Sequence, residues 1–334
     1  MLAVPGFVGS LLDPLLGAAG DTSRRRLLIA AGGLAFAGSA ALTAAAGGFW
    51  LLLVALLIGN PATGAFVSLA QATLMDADPP ARVRNIARWT LAGSFGYVGG
   101  PLLLAAAVHF GLGWRGAIAL LAAAALPLAL AALRFPGPRT DGAPPLGRAL
   151  REALAAVRRV EVLRLLLLLE SADLLLDVFH GFLALYLVDA AGWTPALAAL
   201  GVGVWTGAGL AGDWLLLAVL RRVGGERILR VTALASLAAY PAFLLVPGLA
   251  PRLGLLAALG VLNSGWYAIP KGWLYGALPG RSGAAVAVGG LGGIAASFVP
   301  LLLGLLAGAA GIAVTMWVLL LAPVALLALV PRGG

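Results

Sequence analysis

Apolar residues run along nearly the whole chain in stretches of about 20, each long enough to cross a bilayer, separated by breaks of only a few polar positions. The pattern predicts eleven helices, over 2–19, 27–46, 49–75, 86–110, 114–134, 162–188, 195–220, 228–247, 252–278, 283–307 and 310–331. Between the fifth and sixth lies RFPGPRTDGAPPLGRALREALAAVRRVE, a Pro/Gly-rich stretch followed by a basic amphipathic segment expected to lie along the membrane surface. The expected architecture is an all-α membrane protein in two groups of helices: five in 1–134 and six in 161–334, joined by a 135–160 linker.

Composition agrees with a membrane protein: 62% of the 334 residues are hydrophobic and 10% are charged. There is no cysteine, which excludes thiol catalysis, disulfides and cysteine metal sites. A net charge of +9 would suggest nucleic acid in a soluble protein, but here the basic residues sit in short loops. Of the 22 Lys and Arg, only Arg115 and Arg252 fall in loops on one side. That bias puts the linker and C-terminus in the cytoplasm and the N-terminus outside, with membrane lipid rather than nucleic acid as the surrounding partner.

The two groups repeat one another. GAAGD (17–21) recurs as GLAGD (209–213), and PAR (80–82) recurs as PGR (279–281). Pro101 follows Arg82, and Pro300 follows Arg281, at the same spacing. Both repeats run in one direction across the membrane, the arrangement of two pseudo-symmetric bundles about an axis along the membrane normal.

GAAGDTSRRR resembles the loop signature of the major facilitator superfamily, Gly-x-x-x-Asp-Arg/Lys-x-Gly-Arg/Lys-Arg/Lys, through Gly17, Asp21, Arg25 and Arg26. Thr22 and Arg24 depart from it. GSFGYVGGPLLL resembles that superfamily's antiporter signature through Gly96, Gly100 and Pro101, with Leu104 and Ala105 where the family has a glycine pair. In the family the acidic loop follows the second helix, whereas here it follows the first. Family helix 1 is therefore expected either upstream of Met1, or to be lacking because the chain is a fragment or a natural eleven-helix form.

The resemblance implies a secondary active transporter working by alternating access, with protons as coupling ion, a small amphiphilic molecule as substrate, and no cofactor. The antiporter-like stretch favours export, and an inner (plasma) membrane is the expected location. The resemblance also implies an inner gate, in which Asp21, with Arg25 and Arg26, accepts backbone N–H groups at a helix start near Ser282 and Gly283. An ordinary charged loop is the other reading. Asp213 is the counterpart in the second repeat. Gly96, Gly100 and Pro101 permit close helix contact or a bend, and packing explains them as readily as transport direction does.

Glu170, Asp173, Asp177 and His180 fall within an arc of roughly 80° on a helix turning 100° per residue. The dozen leucines of 163–187 contribute about −6 kcal/mol to insertion, while three charged carboxylates cost roughly +8, so the stripe must face protein or water. In the family, the corresponding helix lines the substrate cavity. Reversible protonation and a buried structural network are both open. Lys271, the single lysine, is expected to pair with Glu170 or to snorkel to the inner surface. Asp13, inside the first helix, either joins the proton pathway or is held by hydrogen bonds within the bundle.

Two other classes compete with the carrier. ESADLLLD (170–177) has the acidic spacing of a Mg²⁺-diphosphate enzyme such as a membrane prenyltransferase, but no other helix supplies the second acidic cluster that such a site needs. A transporter-like protein that does not transport is the other. No Gly-rich Lys-Ser/Thr phosphate loop indicates ATP hydrolysis, and no metal ligand set is apparent.

Overall fold

The computed structural model describes residues 3–134, 146–278 and 282–331. The proline-rich half of the linker, Arg281 with the rest of the second PGR motif, and Arg332 lie outside the described residues. The thirteen helices among the described residues are α1 (Ala3–Gly20), α2 (Arg25–Ala45), α3 (Phe49–Ala77), α4 (Arg82–His109), α5 (Gly113–Ala131), α6 (Leu146–Val157), α7 (160–189), α8 (Pro195–Val219), α9 (Gly225–Leu245), α10 (Leu249–Leu262), α11 (Ala268–Ala277), α12 (Ser282–Ala310) and α13 (Ile312–Leu329).

Eight of these, α2–α5, α8, α9, α12 and α13, are long and apolar enough to cross a membrane. The expected eleven crossings rest in addition on α1, on α7 with its three carboxylates, and on α10 continued by α11. That last pair differs from the single helix anticipated over 252–278: the chain leaves helical geometry at 263–267, where Gly265 has φ +88°. Only glycine adopts that left-handed geometry without a Cβ clash, so the break is encoded locally. Thr194 and Pro195 define a helix start in a similarly local way. The Thr194 hydroxyl accepts the Leu197 N–H at 3.3 Å, and Pro195 occupies a position whose N–H has no helical partner.

Two helices carry a π turn: α3 over Gly64–Ser68 and α7 over Leu174–Val178. A π turn takes more residues per turn than an α-helix, so Asp177 and His180 are rotated away from the phase they would have in a regular helix with Glu170 and Asp173.

The helices cluster into two compact units. The first comprises Met1–Arg82, Gly100–Leu163 and Leu274–Phe298. Within it α1 packs along α12, α2 along α3 and α5, and α6 lies against both α1 and α12. Small residues allow the α1–α12 approach: a Cβ added at Gly17 would strike the Gly283 carbonyl and the Ala287 backbone. The second unit comprises Val83–Gly99, Arg164–Trp273 and Val299–Gly334. In it α8 packs on α10 and α7, α9 on α10 and α13. Gly260 serves there as Gly17 does in the first unit, since a Cβ on it would strike the Trp205 carbonyl.

Candidate functional site

In the first unit, Asp21 follows directly on the end of α1 and reaches the first turn of α12. Its carboxylate accepts the Gly283 N–H at 2.8 Å and the Ala284 N–H at 3.0 Å. These N–H groups have no partner within their own helix, and the positive end of the helix dipole favours an anion. Arg25, only 2% exposed, bonds Asp21 at 3.0 Å, Asp76 at 2.6 Å and the Ser282 hydroxyl at 2.9 Å. The Ser282 hydroxyl donates to Asp76 at 2.5 Å, and the Gly20 carbonyl accepts from Arg25 Nε. One guanidinium thus bridges two carboxylates, a hydroxyl and a helix end. Burial pushes the Asp21 carboxyl above its ordinary value; the Gly283 N–H, Arg25 and the Ala284 N–H oppose that rise, and Asp76 adds to it.

Two details differ from expectation. Arg26 is exposed and bonds none of these groups, because one helical position past Arg25 it points away from α12. Asp76, at the end of α3, was not anticipated, although an acid beside the DPP sequence at a helix end was the available signal. Asp13 sits deeper in the same unit, between Gly64 in the π turn of α3 and Gly290 of α12, where an added Cβ would strike it from either side.

In the second unit, the stripe on α7 meets three other helices. The Tyr97 hydroxyl on α4 donates to Asp177 at 3.2 Å. The His180 ring lies edge-on to Tyr97 at 5.7 Å and stacks on Trp205 of α8 at 5.4 Å. Asp173 is repelled electrostatically by Asp177 and Glu170, while Lys271 on α11 attracts Glu170. Asn263, at the end of α10, donates to the Leu175 carbonyl inside the π turn at 3.0 Å, tying that irregularity to the α10–α11 break. Tyr97, Trp205 and Asn263 were missed by sequence reasoning, because each belongs to a different segment and only the fold brings them to α7. No group of three or more His, Cys, Asp or Glu poised to hold a metal ion occurs among the described residues.

Asp213 does not cap a helix start as Asp21 does. It lies within α8 and is 7% exposed, and it accepts from the Ser94 hydroxyl of α4 at 2.5 Å. Gly96, Gly100 and Pro101 do not form a close helix contact among the described residues: a Cβ added at either glycine would meet nothing within 4 Å, and all three residues are exposed.

Residues 1–275 match the sequence pattern of the Major Facilitator Superfamily. The chain belongs to that superfamily. Among solved structures it is similar to the human organic anion transporter MFSD10 (TETRAN), with a TM-score of 0.73 and 21% identity over 99% of this chain and 82% of that one. It is also similar to the E. coli fucose:proton symporter FucP, with a TM-score of 0.80 and 16% identity over 98% of this chain and 89% of that one. FucP in an outward conformation gives a TM-score of 0.77 at 16% identity, over 98% of this chain and 88% of that one. At such identities the likeness concerns the fold. No curated protein matches the chain by sequence. This superfamily member is an integral membrane protein whose regular secondary structure, among the described residues, is helical, with the architecture of a secondary transporter.

Proposed function

We propose that the chain is a proton-coupled secondary transporter that exports a small amphiphilic molecule by alternating access, with linker and C-terminus in the cytoplasm. The observation that carries this reading is the polar face of α7. Carboxylates and an imidazole inside an apolar helix are costly unless they serve an ion or substrate path, and here Tyr97, Trp205 and Lys271 converge on them. Glu170, Asp173, Asp177, His180 and Lys271 form the proposed pathway, with Asp13 at a second acidic position in the other unit. The Asp21–Arg25 cluster over the start of α12 is the proposed inner gate, closed in this conformation. Proton coupling draws support from FucP, itself a proton symporter, and the antiporter-like stretch of α4 supports export.

The test is flux of a panel of amphiphilic cations, anions and sugars in proteoliposomes under an imposed pH gradient. Asp173→Asn and Asp177→Asn are each expected to retain the fold and change the pH dependence of flux. Unchanged pH dependence in both variants would assign the stripe to structure rather than transport.

A further inference from the structure

Arg252, a loop residue by the sequence pattern, stands in the first turn of α10. It shares the packed face of that helix with Leu256, Leu259 and Gly260, at the i, i+4, i+7 and i+8 spacing of a core stripe. That face meets α8: a Cβ added at Gly201 would stand 3.4 Å from Leu256, and one added at Gly260 would strike the Trp205 carbonyl. An arginine thus occupies a position that packing alone would give to an aliphatic side chain, and it is only 9% exposed.

Its charge has no counterpart in the chain. Arg252 Nε is enclosed without an acceptor, and no described residue forms a hydrogen bond or ion pair with the guanidinium. The acids of the helices packed on α10 stand at the other end of the unit, Asp213 in the last two turns of α8 and Glu226 in the first turn of α9. On α7, Asp189 is exposed and forms no ion pair among the described residues, and Asp177, the next acid, is more than two turns further back. Tyr186 of α7 feels the arginine's charge, but its hydroxyl is neutral and donates to the Leu244 carbonyl at 3.2 Å. Arg25, the other buried arginine among the described residues, is by contrast held by two carboxylates. A buried ion left alone is costly, and arginine does not shed its proton to escape that cost.

The start of α10 adds donors beside it. Gly248 precedes the helix without a capping side chain, so the N–H groups of Leu249 and Ala250 have no partner in the helix or its cap. Helical side chains lean toward the N-terminus of their helix, and Arg252 lies one turn past Gly248 on the same face. Gly248 leaves that space open, since a Cβ added there would meet only Pro251. A guanidinium beside free N–H groups at a helix start is a donor set suited to an oxyanion. Leu245 and Leu249, both exposed, put apolar surface on either side of the turn. We infer that Arg252 and the start of α10 form a binding site for a phosphate group, with the phosphodiester of a membrane phospholipid as its occupant and the acyl chains on Leu245 and Leu249. The bound anion supplies the counter-charge that this end of the unit lacks and steadies α10 against α7 and α9. The inference does not depend on what the chain transports.

Thermal unfolding of the full chain, delipidated in dodecyl maltoside, tests the site. Native protein and Arg252→Met are titrated at fixed pH and ionic strength with short-chain phosphatidylglycerol, with the matching diacylglycerol, which lacks phosphate, and with inorganic phosphate. Without ligand, Arg252→Met should unfold at the native temperature or above it, because an uncompensated buried charge has been removed. A hundredfold excess of phosphatidylglycerol over its Kd should raise the native unfolding temperature by about 5 °C and leave the variant where it was, reversing their order. Diacylglycerol should move neither. The same reversal with inorganic phosphate and not with the lipid would make free phosphate the occupant of the site. Arg252→Lys keeps the charge but loses the planar fork, and its titration midpoint should lie about tenfold higher than the native one, which preserves the test if Arg252→Met does not fold. The inference is overturned by an equal rise in native protein and Arg252→Met, by no rise with either phosphate ligand, or by identical midpoints for native protein and Arg252→Lys. It also fails if Arg252→Met is less stable than the native chain by one margin in every condition, which would make Arg252 a packing residue. No substrate or pH gradient enters the assay, so its outcome is separate from that of the transport test.

Discussion

Asp21 accepts the backbone N–H of Gly283 at 2.8 Å although the two residues are 262 positions apart in sequence. The contact joins the loop after α1 to the first turn of α12 and forms only while those two ends are together. Everything around it serves that geometry: glycine at 17 lets the helices approach, and Arg25 neutralises the carboxylate and holds Asp76 and Ser282 beside it.

Arg25 and Arg26 should therefore behave very differently. Arg25→Met leaves two carboxylates facing each other around a buried vacancy and is expected to cost about 3–5 kcal/mol, the usual penalty for removing one partner of a buried ion pair. Arg26→Ala is expected to fall within about 0.5 kcal/mol of the native chain, as exposed substitutions do. Thermal unfolding of the two variants in the same detergent checks both. Equal effects would mean that the Arg25 network carries no stability.

Asp21 also confers a pH dependence of known sign. Burial raises its carboxyl, so the folded state binds that proton more tightly than the unfolded chain does. The associated stability is fully present below the ordinary carboxylate range and is lost as pH rises through the raised value. The native unfolding temperature should fall across that window, and Asp21→Asn should flatten this part of the profile. Parallel profiles for the two proteins would show that Asp21 does not titrate there.

Glu170 and Lys271 attract each other across α7 and α11, and the proposed pathway has them forming a pair that rearranges during the cycle. A double-mutant cycle with Glu170→Gln and Lys271→Met is expected to give a coupling energy of about 0.5–3 kcal/mol in stability, with partial recovery of flux in the double variant. Strict additivity in both measurements would remove the pair and leave Lys271 as a residue that snorkels to the surface.

Most of the helices could be read directly from sequence, because a bilayer demands about 20 consecutive apolar residues and punishes anything else. The run of 195–220 is an example: Thr194 and Pro195 mark its start, and the helix ends one residue short of the expected boundary. The stripe on α7 was legible for the same reason, since ionisable groups stand out against leucine. The docking of Asp21 on the start of α12 was implied by the resemblance of GAAGDTSRRR to the superfamily's loop signature.

What the sequence could not reveal depends on partners that are close in space and distant in the chain. Asp76, Ser94, Tyr97 and Trp205 carry no marker of their own, and each acquires its role from the helix that happens to face it. Arg25 and Arg26 look equivalent in sequence, yet one is buried between two carboxylates and the other is exposed, because successive helical residues point about 100° apart. Asp21 and Asp213 are likewise equivalent in the repeat. Asp21 meets a helix end and an arginine, while Asp213 lies within α8 and accepts from the Ser94 hydroxyl. Periodicity determines which residues share a face; the environment that face meets is decided by tertiary packing alone.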